Sequence, residues 1–265
     1  MQLTFLGTGP SLALPRKGHA DALCKSARKV GSKDKRTRSS ALITHKQKNI
    51  LIDCGPDFLE QIKREYITKI DAILLTHAHR DAAGGFNQLR IWLNNHSEKI
   101  PIYIERRTWQ TLKTRFKRLD HLKPIFISAG KNFKLLDLNV KPFRVHHSLQ
   151  KEFPTLGYRF GNKLVYASDF WKVPYKSKEN MYKADVLMID AAIYFGLYIH
   201  GHQNTEQALK MAHALRAGQT YLTQVGHSYP PHVRAQQDIR RAWMAMGEQA
   251  KSMPKIAYDG LKIKL

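Results

Sequence analysis

Three short apolar runs in the chain each end in a residue type that binds metals: Ile73-Leu74-Leu75-Thr76-His77, Phe143-Arg144-Val145-His146-His147 and Leu164-Val165-Tyr166-Ala167-Ser168-Asp169. A fourth, Tyr221-Leu222-Thr223-Gln224, ends in a carboxamide. Such runs read as buried strands, and the polar groups at their ends can be gathered only at one edge of a rigid sheet. The first run continues as His77-Ala78-His79-Arg80-Asp81, ahead of Gly84-Gly85 and a helical pattern. Two imidazoles at i and i+2 in a tight loop can converge on one cation, and the nearby carboxylate can ligate it or position a water.

The remaining pattern supplies the scaffold. Further strand signals cover 3–6, 40–43, 49–52, 72–75, 102–104, 125–127, 164–166, 186–189 and 220–222, with a closing strand over 255–263. Helical periodicity is predicted over 56–65, 86–95, 205–216 and 236–251. The third of these starts after Asn204, a good N-cap, and stops at Ala217-Gly218. Strands come first and then alternate with helices, which implies a layered α/β architecture. No repeat, linker or low-complexity tract divides the chain, so residues 1–265 read as one domain.

Charge adds a constraint on partners. Lys and Arg number 44 against 21 Asp and Glu, a net charge of +23, which attracts phosphorylated substrates, nucleic acid or anionic surfaces. The stretch 16–48 is the densest part; a solvated basic surface is the plainer reading of it. The longest nearly apolar stretch, 186–199, is interrupted by Asp190 and too short to span a bilayer. The opening Met1-Gln2-Leu3-Thr4-Phe5-Leu6-Gly7 reads as a strand rather than a signal peptide. Two cysteines, Cys24 and Cys54, make no disulfide framework, and a reducing cytoplasm is the expected location.

Thr-His-x-His-x-Asp after a strand resembles the metallo-β-lactamase superfamily, in particular the phosphoribosyl cyclic phosphodiesterases of the carbon–phosphorus lyase pathway. The resemblance runs from Gly7-Thr8-Gly9 through Arg38-Ser39-Ser40, Ile52-Asp53-Cys54-Gly55, Gly85-Phe86-Asn87-Gln88-Leu89-Arg90, Tyr166-x-x-Asp169 and Gly201-His202. It closes with Leu222-Thr223-Gln224-Val225-Gly226-His227 and Tyr258-Asp259-Gly260-Leu261. It implies a four-layer αββα sandwich with a metal site at one edge. By the same resemblance His77, His79 and His147 are the first-site histidines, Asp169 the bridging carboxylate and Asp81 the carboxylate of a second site. His146 is then a neighbour rather than a ligand, and Asp190 an interior hydrogen-bonding group. His202 matches a histidine near the substrate, a candidate proton donor to the leaving oxygen. Arg80, Arg90 and Arg159 are candidate phosphate contacts, and Cys54 a buried structural thiol.

Two departures bear on metal count. Where the family pattern continues Asp-His, this chain has Asp81-Ala82, and where it has a late Leu-Thr-His, this chain has Gln224. A methyl cannot ligate, and a carboxamide oxygen is a weak neutral substitute. One firmly held ion is therefore expected, Zn2+ first, with Mn2+ or Fe2+ as alternatives. The family's structural zinc ligands correspond here to His19, Asp21, Cys24 and His227, a chemically acceptable tetrahedral set. The expected function is metal-dependent hydrolysis of a cyclic phosphate or other phosphodiester, with Asp81 and His202 in catalytic roles. A mononuclear iron oxygenase and a basic nucleic-acid-binding or nuclease member of the same fold stand as alternatives. A phosphorylated small molecule is the expected partner, with nucleic acid and a homodimer left open.

Overall fold

Side-chain alternation along the strands sorts the apolar residues into layers. In β1 (Gln2–Gly7), Leu3 and Phe5 point into one core and Leu6 into another; in β2 (Ser40–His45), Ala41 and Ile43 oppose Leu42. The same split divides Ile50 and Ile52 from Leu51 in β3 (Lys48–Ile52), and Ala72 and Leu74 from Ile73 in β4 (Ala72–Leu74). Strands with apolar residues on both faces must be covered on both. The computed structural model, which describes residues 1–93, 98–147 and 153–265, shows how.

The first sheet continues with β5 (Ile100–Ile104) and β6 (Leu122–Phe126). The second holds β7 (Phe133–Leu135), β8 (Leu138–Val145), β9 (Thr155–Phe160), β10 (Leu164–Ala167), β11 (Val186–Asp190), β12 (Gln219–Thr223) and β13 (Lys255–Ile256). The last strand, β14 (Lys262–Lys264), returns to the first sheet. The orders are β14-β1-β2-β3-β4-β5-β6 and β13-β12-β11-β10-β9-β8-β7. β3 to β6 run parallel, as do β10 to β13; the remaining pairs are antiparallel.

Among the described residues the α-helices are α1 (Ala22–Ala27), α2 (Phe58–Arg64), α3 (Arg80–Ala83), α4 (Phe86–Leu93), α5 (Arg106–Arg115), α6 (Tyr175–Lys178), α7 (Thr205–Leu215) and α8 (His232–Ala245). Phe58, Ile62, Phe86, Leu89 and Leu112 bring α2, α4 and α5 onto the outer core of the first sheet. Ala208, Leu209, Ala212, Ile239 and Trp243 bring α7 and α8 onto that of the second. The middle core joins Leu3, Ile43 and Ile52 to Tyr158, Tyr166 and Met188. The architecture is the expected four-layer αββα sandwich.

Local signals placed most elements within a few residues. α7 carries the expected Asn204 cap, with Asn204 and Gln207 forming a reciprocal capping box. The predicted helix over 86–95 is described as far as Leu93; Asn94 and Asn95 lie outside the described residues. The closing strand over 255–263 is corrected. It is two strands in different sheets, because the chain turns at Gly260, where φ is +87°, and crosses from β12 to β1. The run Phe143-Arg144-Val145 is the end of an eight-residue strand, β8. Lys141 and Pro142 break the apolar alternation of β8, and its partners β7 and β9 were likewise unrecognised. In α5 the polar composition hides a helix whose inward contacts are few, chiefly Thr108 and Leu112.

One carboxylate locks that crossing. Asp259 accepts the N–H and hydroxyl of Thr8 at 2.9 and 2.8 Å, and the N–H and hydroxyl of Thr37 at 2.7 and 2.6 Å. Arg64 approaches it at 3.3 Å. Removing it takes the acceptor from the Thr8 and Thr37 N–H groups and the Thr8 hydroxyl, while Arg64 keeps Glu65 and the Leu6 carbonyl, so Asp259→Ala is expected to cost about 3–5 kcal/mol. The check is a lower midpoint in urea unfolding with an unchanged slope.

Candidate metal centre

The strand exits of β4, β8 and β10 deliver His77, His147 and Asp169 to one place. His79 comes from the loop after β4 as the N-cap of α3, and Gly55 and Gly85 allow that loop to seat. A Cβ on Gly55 would lie 2.1 Å from the Asp81 carbonyl oxygen, and one on Gly85 2.2 Å from that of Gly55. Cys54 ties the same segments together, donating from its N–H to Ala82 and accepting from Gly85. Its buried thiol, raised well above the usual thiol range by burial, is a packing group.

His77, His79 and His147 stand with ring centroids 4.7, 5.2 and 5.0 Å apart. His147 Nε2 is 3.1 Å from His79 Nδ1 and 3.9 Å from Asp169, and His77 Nε2 is 3.9 Å from Asp169. Among the described residues His77, His79 and His147 form one mutually close set, and His147, Asp169 and His202 another. Donors on a tetrahedral ion with bonds of about 2.0–2.1 Å lie about 3.3–3.4 Å apart, so the three histidines suit one cation, with Asp169 somewhat farther out. His77 Nε2 and Asp169 Oδ1 are buried and have no hydrogen-bond partner among the described residues. Two unpaired polar atoms of that kind are costly unless an ion satisfies them.

The other ring nitrogens are committed. His77 Nδ1 lies 2.8 Å from the Thr76 hydroxyl, which in turn donates to the buried Asp53 at 2.9 and 3.0 Å. His147 Nδ1 lies 2.9 Å from the Gly201 carbonyl oxygen, so it donates there and leaves Nε2 as the free lone pair. Burial, followed by the neighbouring histidines, pushes His77 well below the usual imidazole range; burial likewise lowers His79. Both are thus held neutral, as a ligand must be. Burial raises Asp169 against the opposing influence of His147 and His202.

His202 sits against this group, 3.7 Å from Asp169 and 5.0 Å ring to ring from His147. Its Nδ1 is 2.7 Å from Asp190, which is fully buried and also accepts from the N–H groups of Phe170, Ala192 and Gln203. Asp190 is therefore the orienting partner of His202 as well as an interior acceptor. The Thr76–Asp53 relay behind His77 also went unrecognised, although both residues stand inside motifs singled out in the sequence.

Asp81, on α3, lies outside the mutually close sets but near enough to bias His79, Asp169 and His202 electrostatically. Gln224 is buried at the exit of β12, at φ +61°, with its carboxamide oxygen unpartnered among the described residues. His146 is exposed and bridges to Lys172. Arg80 lines a recess of about 470 Å³ with His79 and Arg115, whereas Arg159 is tied to Asn180, Tyr182 and Asn162 away from the histidines. The Nε of Arg90 is buried without a partner among the described residues.

A second cluster joins the N-terminal loop to the turn after β12. His227 Nε2 is 2.8 Å from Asp21, His19 Nδ1 is 3.9 Å from the same carboxylate, and the two rings meet edge-on at 4.7 Å. Asp21 also caps α1 by accepting the Cys24 N–H at 2.9 Å, which, with His227, holds its carboxyl well below the usual range. Cys24 is buried beside Asp21, but three residues, not four, form the mutually close set.

A family model described as the beta-lactamase superfamily domain matches residues 48–223. A diphosphatase of the PhnP family superposes with a TM-score of 0.85 at 30% identity, over 99% of this chain and 96% of that one. The Zn2+-bound PqqB of Methylobacterium extorquens does so at 0.79 and 19% identity over 100% of both chains, a likeness of fold. An octanoyltransferase of Porphyromonas gingivalis (strain ATCC BAA-308 / W83) is 31% identical over 244 residues, 88% of this chain. The chain spans 47% of the length of that relative, about half.

Burial lowers the His202 pKa, but the charge and hydrogen bond of Asp190, aided by Asp169 and Asp81, win and push it up to about 9. A folded pKa above the usual 6.5 means stabilisation that is full below that pH and lost as pH rises through about 9. Chelator-treated protein is expected to lose urea resistance across that window. Asp190→Asn should flatten the profile and return the His202 resonance to an ordinary titration by NMR; an unchanged profile would contradict the pairing.

Proposed function

The chain belongs to the β-lactamase superfamily, as a metallo-hydrolase with the αββα fold, and we propose that it cleaves a phosphodiester, a cyclic phosphate included, or a diphosphate linkage. The observation that carries this reading is the pair of buried, unsatisfied ligand atoms, His77 Nε2 and Asp169 Oδ1, beside His79 and His147. These four residues would hold the metal, and their nitrogen-rich donor set favours zinc, with manganese or iron(II) as substitutes. The PhnP-family neighbour, named a diphosphatase, supports phosphoryl chemistry.

When bound, the metal polarises a phosphoryl oxygen and lowers the pKa of an attacking water. Asp81 would orient that water and accept its proton. His202, held protonated by Asp190, donates to the departing oxygen. His202 is also mutually close to His147 and Asp169, and in this reading its hydrogen bond to Asp190 serves a proton donor rather than a ligand. With Ala82 and Gln224 at the positions departing from the family pattern, the active centre retains one firmly held ion. His19, Asp21 and His227, with Cys24 alongside, would hold a second, structural zinc, which would fasten the N-terminal loop to the turn after β12. Both cysteines are unpaired thiols, which suits a reducing, cytoplasmic location.

Metal analysis of protein purified without chelator should give two ions per chain. His79→Ala should lose one together with turnover of bis(p-nitrophenyl) phosphate, and His227→Ala the other while keeping turnover. Two ions surviving in His227→Ala would overturn the single-ion centre. His202→Gln should lower kcat by about 10²–10⁴-fold on a substrate with an alkoxide leaving group, and by much less with p-nitrophenolate, which needs no proton.

A further inference from the structure

Beside His147 opens a cavity of about 850 Å³ that the chemistry above does not use. Its walls grow from the same strand exits as the metal ligands. The segment after Asp169 is pinned to the residue before His147 by a β-bridge, His146↔Lys172, with the Trp171 N–H donating to the His146 carbonyl oxygen at 2.9 Å. Trp171 and Lys172 are thereby fixed on one wall. On another, Glu105 ends β5 as the N-cap of α5 and clamps Arg144 in a two-pronged ion pair at 2.6 and 2.8 Å. That pairing consumes the charge of Arg144 and sets the first turn of α5, with Arg106 and Arg107, at the cavity. Arg106 lies over the Phe126 ring at 4.2 Å, and Lys172 over Trp171 at 5.9 Å. Phe153 connects the cavity to the centre, its ring 5.0 Å from that of His79.

Pockets for ligands of considerable size run to about 300–1,000 Å³, so this one far exceeds the needs of a small cyclic phosphate. Its lining alternates aromatic faces with cations, and it sits at the start of a ten-residue helix whose dipole favours an anion. An occupant that satisfies both features carries a flat aromatic ring and a negative group a few bonds apart. We propose that this cavity binds the non-reacting arm of the substrate and that the arm is a nucleotide: its base lies against Trp171 and Phe153, and its anionic group meets Arg106 and Lys172. The inference rests on the reading of the histidine centre as a phosphoryl hydrolase, and assigns to it nucleotide-bearing phosphodiesters or diphosphates.

Binding separates the two ideas because it needs no turnover. Calorimetric titration of the metal-loaded protein with AMP, ribose 5-phosphate and adenosine should show AMP binding at least about tenfold more tightly than either half. Trp171→Ala should weaken AMP about tenfold and leave ribose 5-phosphate unchanged, as expected for the loss of one stacked base. Arg106→Ala should weaken AMP and ribose 5-phosphate but not adenosine. Lys172 is exposed, so Lys172→Glu leaves packing intact and should also weaken AMP. AMP should still bind to His79→Ala, whose metal centre is dismantled. Equal affinity for AMP and ribose 5-phosphate, or AMP binding indifferent to both Trp171→Ala and Lys172→Glu, would overturn the subsite. Tight AMP binding without hydrolysis of bis(p-nitrophenyl) phosphate would instead overturn the hydrolytic reading and leave the nucleotide subsite standing.

Discussion

Gathering three imidazoles and a carboxylate at the meeting edge of two sheets is the constraint on which the rest of this structure depends. Each group loses water, and like partners sit within a few ångströms of one another. Such a cluster persists only if the scaffold forces it and if every uncommitted atom finds a partner. The scaffold here is the pair of parallel half-sheets, whose strand ends fix the positions of His77 and Asp169. The partners are a hydroxyl, a backbone carbonyl and two buried carboxylates: Thr76 with Asp53 behind His77, Gly201 behind His147, and Asp190 behind His202. His77 Nε2 and Asp169 Oδ1 in this cluster remain without a hydrogen-bond partner among the described residues.

Electrostatics divides the two buried carboxylates nearest this cluster. Asp190 accepts four hydrogen bonds and stabilises a charged imidazole, whereas Asp169 keeps one oxygen free of partners among the described residues. Two acids of the same chemistry thus serve different ends, one holding a proton on its neighbour and the other offering lone pairs. The basic excess of the chain meets this centre through particular cations. Arg144 is neutralised by Glu105, while Arg106 and Lys172 lie over aromatic rings where a desolvated anion would gain most.

Much of this was legible in the residues. The i, i+2 histidines after an apolar strand, Asp169 after another and the substitutions at Ala82 and Gln224 all stand in local sequence, as does the Asn204 N-cap. Contacts spanning long separations were not legible. His202 and Asp190 are twelve residues apart with a turn between them, and Asp259 reaches Thr8 across 251 residues. The same limit split the expected closing strand: apolar alternation cannot say which of two sheets a short strand joins. The aromatic and basic cavity escaped notice because Arg106, Phe126, Phe153 and Trp171 come from four separate segments.

By itself the sequence determined the layered α/β class and the metal-binding residue types at the strand ends, because both rest on periodicity and on donor chemistry carried within a few neighbouring residues; the αββα sandwich and the choice among those residues followed from the resemblance carried by the ordered motifs. Tertiary structure alone decided which ligand atoms converge, that Cys24 lies beside the close set of His19, Asp21 and His227, and that His202 is bound to Asp190. It also decided that a large cavity opens next to His147. Those outcomes depend on distances across sheets and turns, and on the loss of solvent at the strand ends, quantities that no local pattern encodes.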